Sequence, residues 1–309
     1  MLTILLNIMG KIALLVALGY FLRKREIITQ QFQEGLTSFM MKVALPANVL
    51  TTANNTFSWE LSQNLLIVVA VAACYYVATL LLTRAVGRLL PLSANGKVLF
   101  SVMAVFANTA FIGFPLAEEL MGSEGLLYAV VFNMVWILFF FTIGSSMMSG
   151  QKKFQLKSIL QVPVSLASIA AILIYVSPFR FPYFLQDTLS TLGNMVVPLS
   201  MLLIGCSLVQ VRLTHILLDP YSYFISALRL VIFPFLMLGI LWLIPGIPNL
   251  VALVCCLACC LPSASLCVVF AQQYHCEPAY ASRAVVQGMV LMIVTIPLFM
   301  TCAIQVFPV

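Results

Sequence analysis

The sequence predicts an all-α polytopic membrane protein with ten transmembrane helices. Of its 309 residues, 63% are hydrophobic and only 8% are charged, whereas soluble domains carry about 25% charged residues. The mean hydropathy is +1.11. Apolar runs near the roughly 20 residues that cross a bilayer recur along the whole chain. Because the backbone must pair its own polar groups in lipid, such runs are expected to be helices.

The ten predicted spans follow one another with short connections that leave no room for a soluble domain. They cover residues 2–22, 33–53, 62–83, 97–117, 125–148, 158–177, 187–208, 221–244, 250–273 and 279–306. The first run has no basic segment before it and no small-residue cleavage site after it. We therefore expect it to be a membrane span and not a signal peptide.

Basic residues indicate which side of the membrane each connection faces. After the even-numbered spans only Arg180 appears, whereas the odd-numbered connections carry Arg23, Lys24, Arg25, Arg84, Arg88, Lys97, Lys152, Lys153, Lys157, Arg212 and Arg283. Since cytoplasmic loops are enriched in Lys and Arg, both termini are expected outside a plasma (inner) membrane. The net charge of +6 therefore reports orientation, and no nucleic-acid partner is expected.

Residues 1–148 and 158–306 are expected to form two five-helix repeats. Two segments align between the halves at offsets of 152 and 153: "FMMKVALPANVL" (39–50) with "GNMVVPLSMLLI" (193–204), and "MGSEGLLYAVV" (121–131) with "YHCEPAYASRA" (274–284). An odd number of spans in each half turns the second copy upside down. Inverted repeats of this kind are typical of secondary transporters.

Spans 4 and 9 are predicted to be interrupted and to cross near the middle of the membrane. Span 4 contains Asn108 and Thr109 in "NTAFIGFPL", and the repeat offset places Asn108 on Leu261, beside Pro262. Proline removes a backbone donor and clashes with the preceding turn. Broken half-helices would offer an anion two helix N-termini. The alternative is a pair of proline kinks that neighbouring helices compensate.

Two sets of residues are singled out for the site. The expected substrate-binding residues are small or polar and lie at the breaks or at similar depth: Asn108, Thr109, Ala110, Leu261, Pro262, Ser263, Ser265, Asn133, Gln287, Asn48 and Lys42. The expected helix breaks are Gly113, Pro115, Pro46, Pro198 and Pro262.

Several of these residues have a second interpretation. Lys42, like Lys11 and Arg229, lies in a span with no acidic residue at comparable depth. Such a cation suits an anionic substrate, or its side chain extends to the membrane interface. Asn133 and Gln287 either face the crossover or hydrogen-bond across helices. Asn48 either closes the site or satisfies the backbone near Pro46.

The nine cysteines do not predict a metal site or disulfides. Eight lie within apolar stretches, including the four of "CCLACC" (255–260). Their CxxC spacing is found in zinc sites, but those occur in polar, folded settings with four fixed ligands. Small residues that let helices approach closely are the favoured interpretation. No metal and no cofactor is expected.

"NTAFIGFPL" (108–116) resembles the fourth-span motif of the auxin efflux carrier family, typically Asn-Thr-x-x-x-Gly-x-Pro-Leu. "LGNMVVPLSMLLIGCSL" (192–208) is similar to the seventh span of bacterial members, and "GYFLRKREI" and "ALPANVL" to the first two spans. Plant PIN auxin carriers have a proline before the span-4 asparagine, where this chain has Ala107. The short 152–157 loop makes the chain resemble a compact bacterial-type member.

The resemblance implies a scaffold of spans 1, 2, 6 and 7 and a mobile transport bundle of spans 3–5 and 8–10. It implies that substrate sits at the crossover and moves by an elevator-like displacement, and that the scaffolds form a homodimer. We therefore expect a secondary carrier of small organic anions, such as mono- or dicarboxylates, with H⁺ or Na⁺ coupling left open. A channel-like uniporter or a transporter-derived sensor of the same fold is the alternative.

An enzyme is not expected from this sequence. Acid–base chemistry within the bundle would need a general base or paired acids there. The two histidines, His215 and His275, lie in predicted connections, and both aspartates, Asp187 and Asp219, lie at span ends.

Overall fold

The computed structural model describes residues 2–55, 57–150, 159, 162–177, 179–209 and 220–308. The side chains of residues 2–6, 8 and 9 are outside this description. Several basic residues used for the predicted orientation, Lys152, Lys153, Lys157 and Arg212, also lie outside the described residues, as does His215.

The described chain is built from helices joined by short connections. In chain order they are α1 (Leu2–Lys24), α2 (Gln30–Phe39), α3 (Leu45–Thr51), α4 (Trp59–Leu89), α5 (Ala94–Val105), α6 (Phe114–Phe139), α7 (Ser145–Ser149), α8 (Pro163–Val176), α9 (Tyr183–Gly193), α10 (Val196–Val209), α11 (Pro220–Ala227), α12 (Phe233–Leu243), α13 (Asn249–Cys259), α14 (Ser265–Gln273) and α15 (Pro278–Val306). Wider π turns cover Met40–Ala44, Thr109–Gly113, Phe140–Gly144 and Leu228–Ile232, and a 3₁₀ turn covers Thr52–Asn54.

Five helical segments are long and apolar enough to cross a membrane. They are Trp59–Leu89, Thr109–Ser149, Tyr183–Val209, Pro220–Leu243 and Pro278–Val306, and shorter apolar helices cover Ala94–Val105, Pro163–Val176 and Asn249–Cys259. Large apolar side chains such as Leu66, Leu81 and Trp242 are exposed on the outer surface, as lipid contact requires. The chain is thus an all-helical, polytopic membrane protein. The ten-span inverted repeat stays a prediction.

Helices α1 and α10 pack backbone to backbone through glycines. A Cβ atom added at Gly205 would lie 2.0 Å from the carbonyl oxygen of Val16, and one at Gly19 would lie 2.1 Å from that of Leu202. The thiol of Cys206 lies 3.3 Å from the Gly19 carbonyl oxygen, to which it donates. Small residues at a helix interface permit this close approach in lipid.

Three prolines follow π turns and lie in continuous helix. Pro46 follows the Met40–Ala44 turn, Pro115 follows Thr109–Gly113, and Pro234 follows Leu228–Ile232. A proline ring clashes with the carbonyl four residues earlier, and a wider turn moves that carbonyl away. The expected breaks at Pro46, Gly113 and Pro115 are therefore continuous helix.

Pro198 and Gly122 mark two changes of direction in the chain. Pro198 is the third residue of α10, directly after a turn at 194–195, so it helps to begin a helix. Gly122 has φ = 68° and ψ = −164° inside α6. This left-handed φ favours glycine. It separates residues 114–121 from 123–139, close to the predicted boundary between spans 4 and 5.

Candidate functional site at the helix crossover

Two helices that are interrupted in mid-chain meet at their interruptions. One helical run stops at Val105 and resumes at Thr109, and the other stops at Cys259 and resumes at Ser265. The two non-helical segments pair as an isolated antiparallel β-bridge between Ala107 and Ser263. This bridge between two non-helical segments is the defining feature of the crossover.

Backbone hydrogen bonds explain why both interruptions are stable. The N–H of Asn108 donates to the carbonyl oxygen of Pro262 at 2.9 Å, and the N–H of Ala264 donates to that of Phe106 at 2.9 Å. The Ser263 hydroxyl also donates to the Met103 carbonyl at 2.7 Å. Each break thus satisfies the polar groups that the other exposes, as a buried backbone requires.

Arg229 closes the crossover from the side where the first half-helices end. Its side chain is only 1% exposed and lies on the Leu228–Ile232 π turn. Its donors reach Leu261 O at 3.0 Å, Val105 O at 2.8 Å, Ala104 O at 3.3 Å, Cys259 O at 3.4 Å and Tyr75 Oη at 3.0 Å. These carbonyls belong to the C-terminal ends of α5 and α13 and to the residues just after α13.

The guanidinium of Arg229 makes contacts that neither interpretation of this cation predicted. Its guanidinium is enclosed by carbonyl groups, so it does not extend to the membrane interface. A helix C-terminus carries about half a negative charge, and here one guanidinium serves two such ends. The structure describes no carboxylate in contact with it. The guanidinium therefore offsets both partial negative charges and leaves the positive ends of the second half-helices without a compensating charge beside them.

A cavity of about 490 Å³ lies beside the crossover, where the second half-helices begin. The predicted site residues among those that line it are Asn108, Thr109, Ala110, Asn133 and Ser265. The first four N–H groups of a helix have no partner within that helix. The helical runs that start at Thr109 and at Ser265 therefore direct their positive ends toward this cavity.

Polar contacts fix the side chains at the inner end of the cavity. The Thr109 hydroxyl donates to Asn133 Oδ1 at 2.7 Å. The amide of Asn108 approaches the Ser265 hydroxyl at 3.5 Å, the upper limit for a hydrogen bond. These contacts join groups from both interrupted helices and from α6, and they leave polar groups available to a ligand.

The remaining wall of the cavity is apolar and aromatic. It includes Trp136, Ile137, Phe141, Leu203, Leu266 and Val269. Pockets of this kind bind small molecules by burying an apolar body and orienting it with a few polar groups. The cavity is therefore suited to an amphipathic ligand with its polar end at the crossover.

Several predicted site residues do not line this cavity. Leu261, Pro262 and Ser263 belong to the crossover backbone. Gln287 is buried, and neither of its amide atoms has a hydrogen-bond partner among the residues with described positions. Lys42 is exposed and is not among the lining residues.

Asn48 lies instead in a second, polar pocket of about 340 Å³. This pocket is lined by Asn48, Thr51, Asn54, Asn55, Glu118, Ser123, Gln186, Ser190, Gly193 and Asn194. Sequence reasoning did not single out Glu118, because it follows directly after a predicted span and resembles any interface charge. The adjacent Glu119 forms an ion pair with Lys11, which gives Lys11 a partner that the spacing of the spans did not show.

The chain is similar in sequence to known families and proteins. A sequence model of the family described as "Membrane transport protein" matches residues 5–300. An uncharacterized transporter of Methanothermobacter thermautotrophicus is 26% identical over 294 residues, which cover 93% of this chain and 95% of that protein. An uncharacterized transporter of Methanocaldococcus jannaschii is 28% identical over 208 residues, which cover 64% and 67% of the two chains.

The crossover, the apolar helices and these similarities all indicate a membrane transporter. The family match spans both interrupted helices and nearly all of the described residues. The chain therefore belongs to the membrane transport protein family, the auxin efflux carrier family that its span-4 motif resembles, whose members are transporters and not enzymes.

Proposed function

We propose that this chain is a secondary carrier of small organic anions and that the anion's carboxylate binds in the crossover cavity. The observation that carries the proposal is the arrangement of charge around the two breaks. Two helix N-termini face the cavity, whereas Arg229 caps the C-terminal carbonyls next to them. Positive potential therefore exceeds negative potential where the ligand would lie.

The size of this effect is sufficient to discriminate against neutral molecules. One helix N-terminus stabilises an anion by about 0.3–1 kcal/mol, and by up to about 2 kcal/mol in partly buried sites. Two such ends together give roughly 0.6–4 kcal/mol, which corresponds to about a threefold to thousandfold preference for the anion. Arg229 preserves this preference because it offsets the negative ends of the first half-helices.

The apolar wall narrows the class of anion. Trp136, Phe141 and Leu266 are among the apolar residues that line the cavity, and a second carboxylate placed against them would lose its hydration. A monocarboxylate with an aliphatic or aromatic body fits this wall better than a dicarboxylate does.

We also infer the arrangement in the membrane. Residues 1–148 and 158–306 would form the inverted repeats, with spans 1, 2, 6 and 7 as a scaffold, through which two copies pair, and the remaining spans as a bundle that moves like an elevator. Thr37 and Ser207 are among the residues that line the cavity. Both lie near connections predicted to be cytoplasmic, so the cavity would face the cytoplasm of a cell whose plasma membrane holds the carrier.

Counterflow in proteoliposomes tests the proposed function. Vesicles loaded with one monocarboxylate, from a panel running from acetate to benzoate, should accumulate the same labelled compound transiently against its gradient. The matching carboxamides should not accumulate. A carrier shows this exchange, whereas a channel-like uniporter or a sensor does not.

A variant at the crossover tests whether the substrate binds there. Asn108→Ala should abolish counterflow for every compound that the wild-type chain exchanges, because Asn108 is a polar group at the inner end of the cavity. Its thermal unfolding should first be shown to resemble that of the wild type. Full counterflow by a folded Asn108→Ala protein would place the substrate elsewhere.

A further inference from the structure

A carboxyl group and a carboxamide meet where two groups of helices face each other. The Asn48 amide, on α3, donates from Nδ2 to Oε2 of Glu118 at 2.8 Å. Glu118 lies on α6, just beyond the predicted end of span 4. Under the proposed function α3 belongs to the scaffold and this part of α6 to the mobile bundle. The contact therefore joins the parts that must separate during transport.

The carbonyl oxygen of the same amide, Oδ1, is a buried acceptor without a described partner. Asn48 is 1% exposed, and its Oδ1 is buried without a hydrogen bond among the residues that the structure describes. A buried acceptor left unpaired costs about 1–3 kcal/mol. A protonated carboxyl group supplies the missing donor, because it can accept from Nδ2 with one oxygen and donate to Oδ1 with the other.

We propose that Glu118 is a proton-binding site and that its protonated form pairs with the Asn48 amide through two hydrogen bonds in this conformation. The proton comes from the polar pocket that Glu118 lines and returns to it when the pair separates. This inference deepens the proposed function, on which it rests for the meaning of the movement. It assigns H⁺ as the coupling ion.

The surroundings of Glu118 support a shared proton. Burial, the larger cause, and the neighbouring charge of Glu119 raise the pKa of Glu118 above its ordinary value, against the opposing effect of the Asn48 N–H donor. Several other charged or titratable groups on this helix and on neighbouring elements are engaged in contacts elsewhere or are exposed. Glu119 pairs with Lys11 of α1, Glu124 accepts from Tyr128, Tyr175 of α8 bonds Ser58 N, and Asp187 of α9 is exposed.

Protonation would couple to movement through this pair. While Glu118 is protonated, the amide and the acid hold the bundle against the scaffold. Loss of the proton places a carboxylate against an unpaired carbonyl oxygen, which repels it. The ionised form therefore favours separation of α6 from α3, and the proton is released on the side that the polar pocket faces.

Infrared difference spectroscopy of the purified protein tests the proton site without any substrate. At about pH 6 an ordinary glutamate is almost fully ionised, so a protonated acid contributes a separate carbonyl band. The wild-type protein should show this band, and Glu118→Gln should lose it. Glu119→Gln is the matched control and should keep it. Equal bands in the wild type and Glu118→Gln would overturn the proposal.

Thermal unfolding against pH gives a second measurement. A raised pKa in the folded state stabilises the protein at low pH, and this stabilisation is lost as pH rises through that pKa. The unfolding temperature of the wild type should fall over that range, whereas Glu118→Gln, which keeps both hydrogen bonds as an amide pair, should lack this fall. Identical pH profiles would contradict the proposal. Neither measurement depends on counterflow, so failure of the carrier assignment would be recognised separately.

Discussion

Arg229 is the residue whose substitution we expect to have the largest effect on stability and on carboxylate binding. Its guanidinium donates to carbonyls at and just after the ends of two helices. Arg229→Met would leave these carbonyls buried without donors, at about 1–3 kcal/mol for each. We expect a clear fall in the unfolding temperature and loss of carboxylate binding in a thermal-shift assay.

Arg229→Lys separates the effect of the charge from the effect of the hydrogen bonds. Lysine keeps the charge but lacks the planar fork that reaches several carbonyls at once. It should therefore retain a weakened preference for carboxylates over carboxamides while unfolding earlier than the wild type. Full stability of Arg229→Met would show that the carbonyls find other partners and would contradict this account.

Thr109 has a smaller, local effect. Its hydroxyl donates to Asn133 Oδ1, so Thr109→Val keeps the shape of the side chain and removes one hydrogen bond at the cavity wall. We expect carboxylate affinity to fall about tenfold, the value of one net hydrogen bond. Thr295→Val is the control, because the Thr295 hydroxyl donates within its own helix, to Leu291 O. Equal affinities for the two variants would remove Thr109 from the site.

Residue types along the chain indicated which groups are unusual but not what they contact. The sequence shows that Arg229 is a cation within span 8. Only the fold brings its side chain to carbonyls more than 100 positions earlier in the chain. The same holds for Lys11 and Glu119. The pairing of Asn48 with Glu118 joins a residue of span 2 to one just after span 4, and no local spacing encodes such a contact.

At the scale of helices, the interface of α1 with α10 depends on its glycines. Gly205→Ala would place a Cβ atom 2.0 Å from the Val16 carbonyl oxygen, a backbone atom that cannot move aside alone. We expect a loss of about 3 kcal/mol or more in the free energy of unfolding. Gly239→Ala, where nothing lies within 4 Å, should be neutral or slightly stabilising. Denaturation of both variants measures the difference, and equal stabilities would contradict this packing.

The interruptions of spans 4 and 9 show how far the positions of helix breaks could be predicted from residue types. Pro262 lies in the second break, as its chemistry suggests. In span 4 the non-helical residues are Phe106–Asn108, before the motif's glycine and proline. Pairing with the other break decides this location, because Ala107 on its own favours helix. Pro115 follows a π turn, which sequence propensities do not indicate.

At the scale of the whole molecule, the proposed elevator requires the bundle to leave the scaffold. A disulfide between Asn48→Cys and Glu118→Cys should stop counterflow, because it ties together the parts that move. A disulfide between Ser93→Cys and Glu277→Cys lies within the proposed bundle, where the two side chains are hydrogen-bonded. With Cys276 replaced by Ser, this second bond should leave counterflow intact, and unchanged transport in the first variant would contradict the movement.

The hydropathy of the whole chain was sufficient to predict the class, and the family match agrees with it. The number of spans and the relation of the two halves depend on how short helices are joined across breaks. Helix lengths alone do not decide this, since the run Thr109–Ser149 covers 41 residues although it bends at Gly122, and other helices have fewer than 15.

The position of a bound anion tests the central claim most directly. An experimental structure with 4-bromobenzoate should place the anomalous signal of bromine among Trp136, Phe141 and Leu266. Its carboxylate should lie within hydrogen-bond distance of the N–H groups that begin at Thr109 and Ser265. Bromine located outside this cavity, or two uninterrupted helices in place of the crossover, would contradict the account.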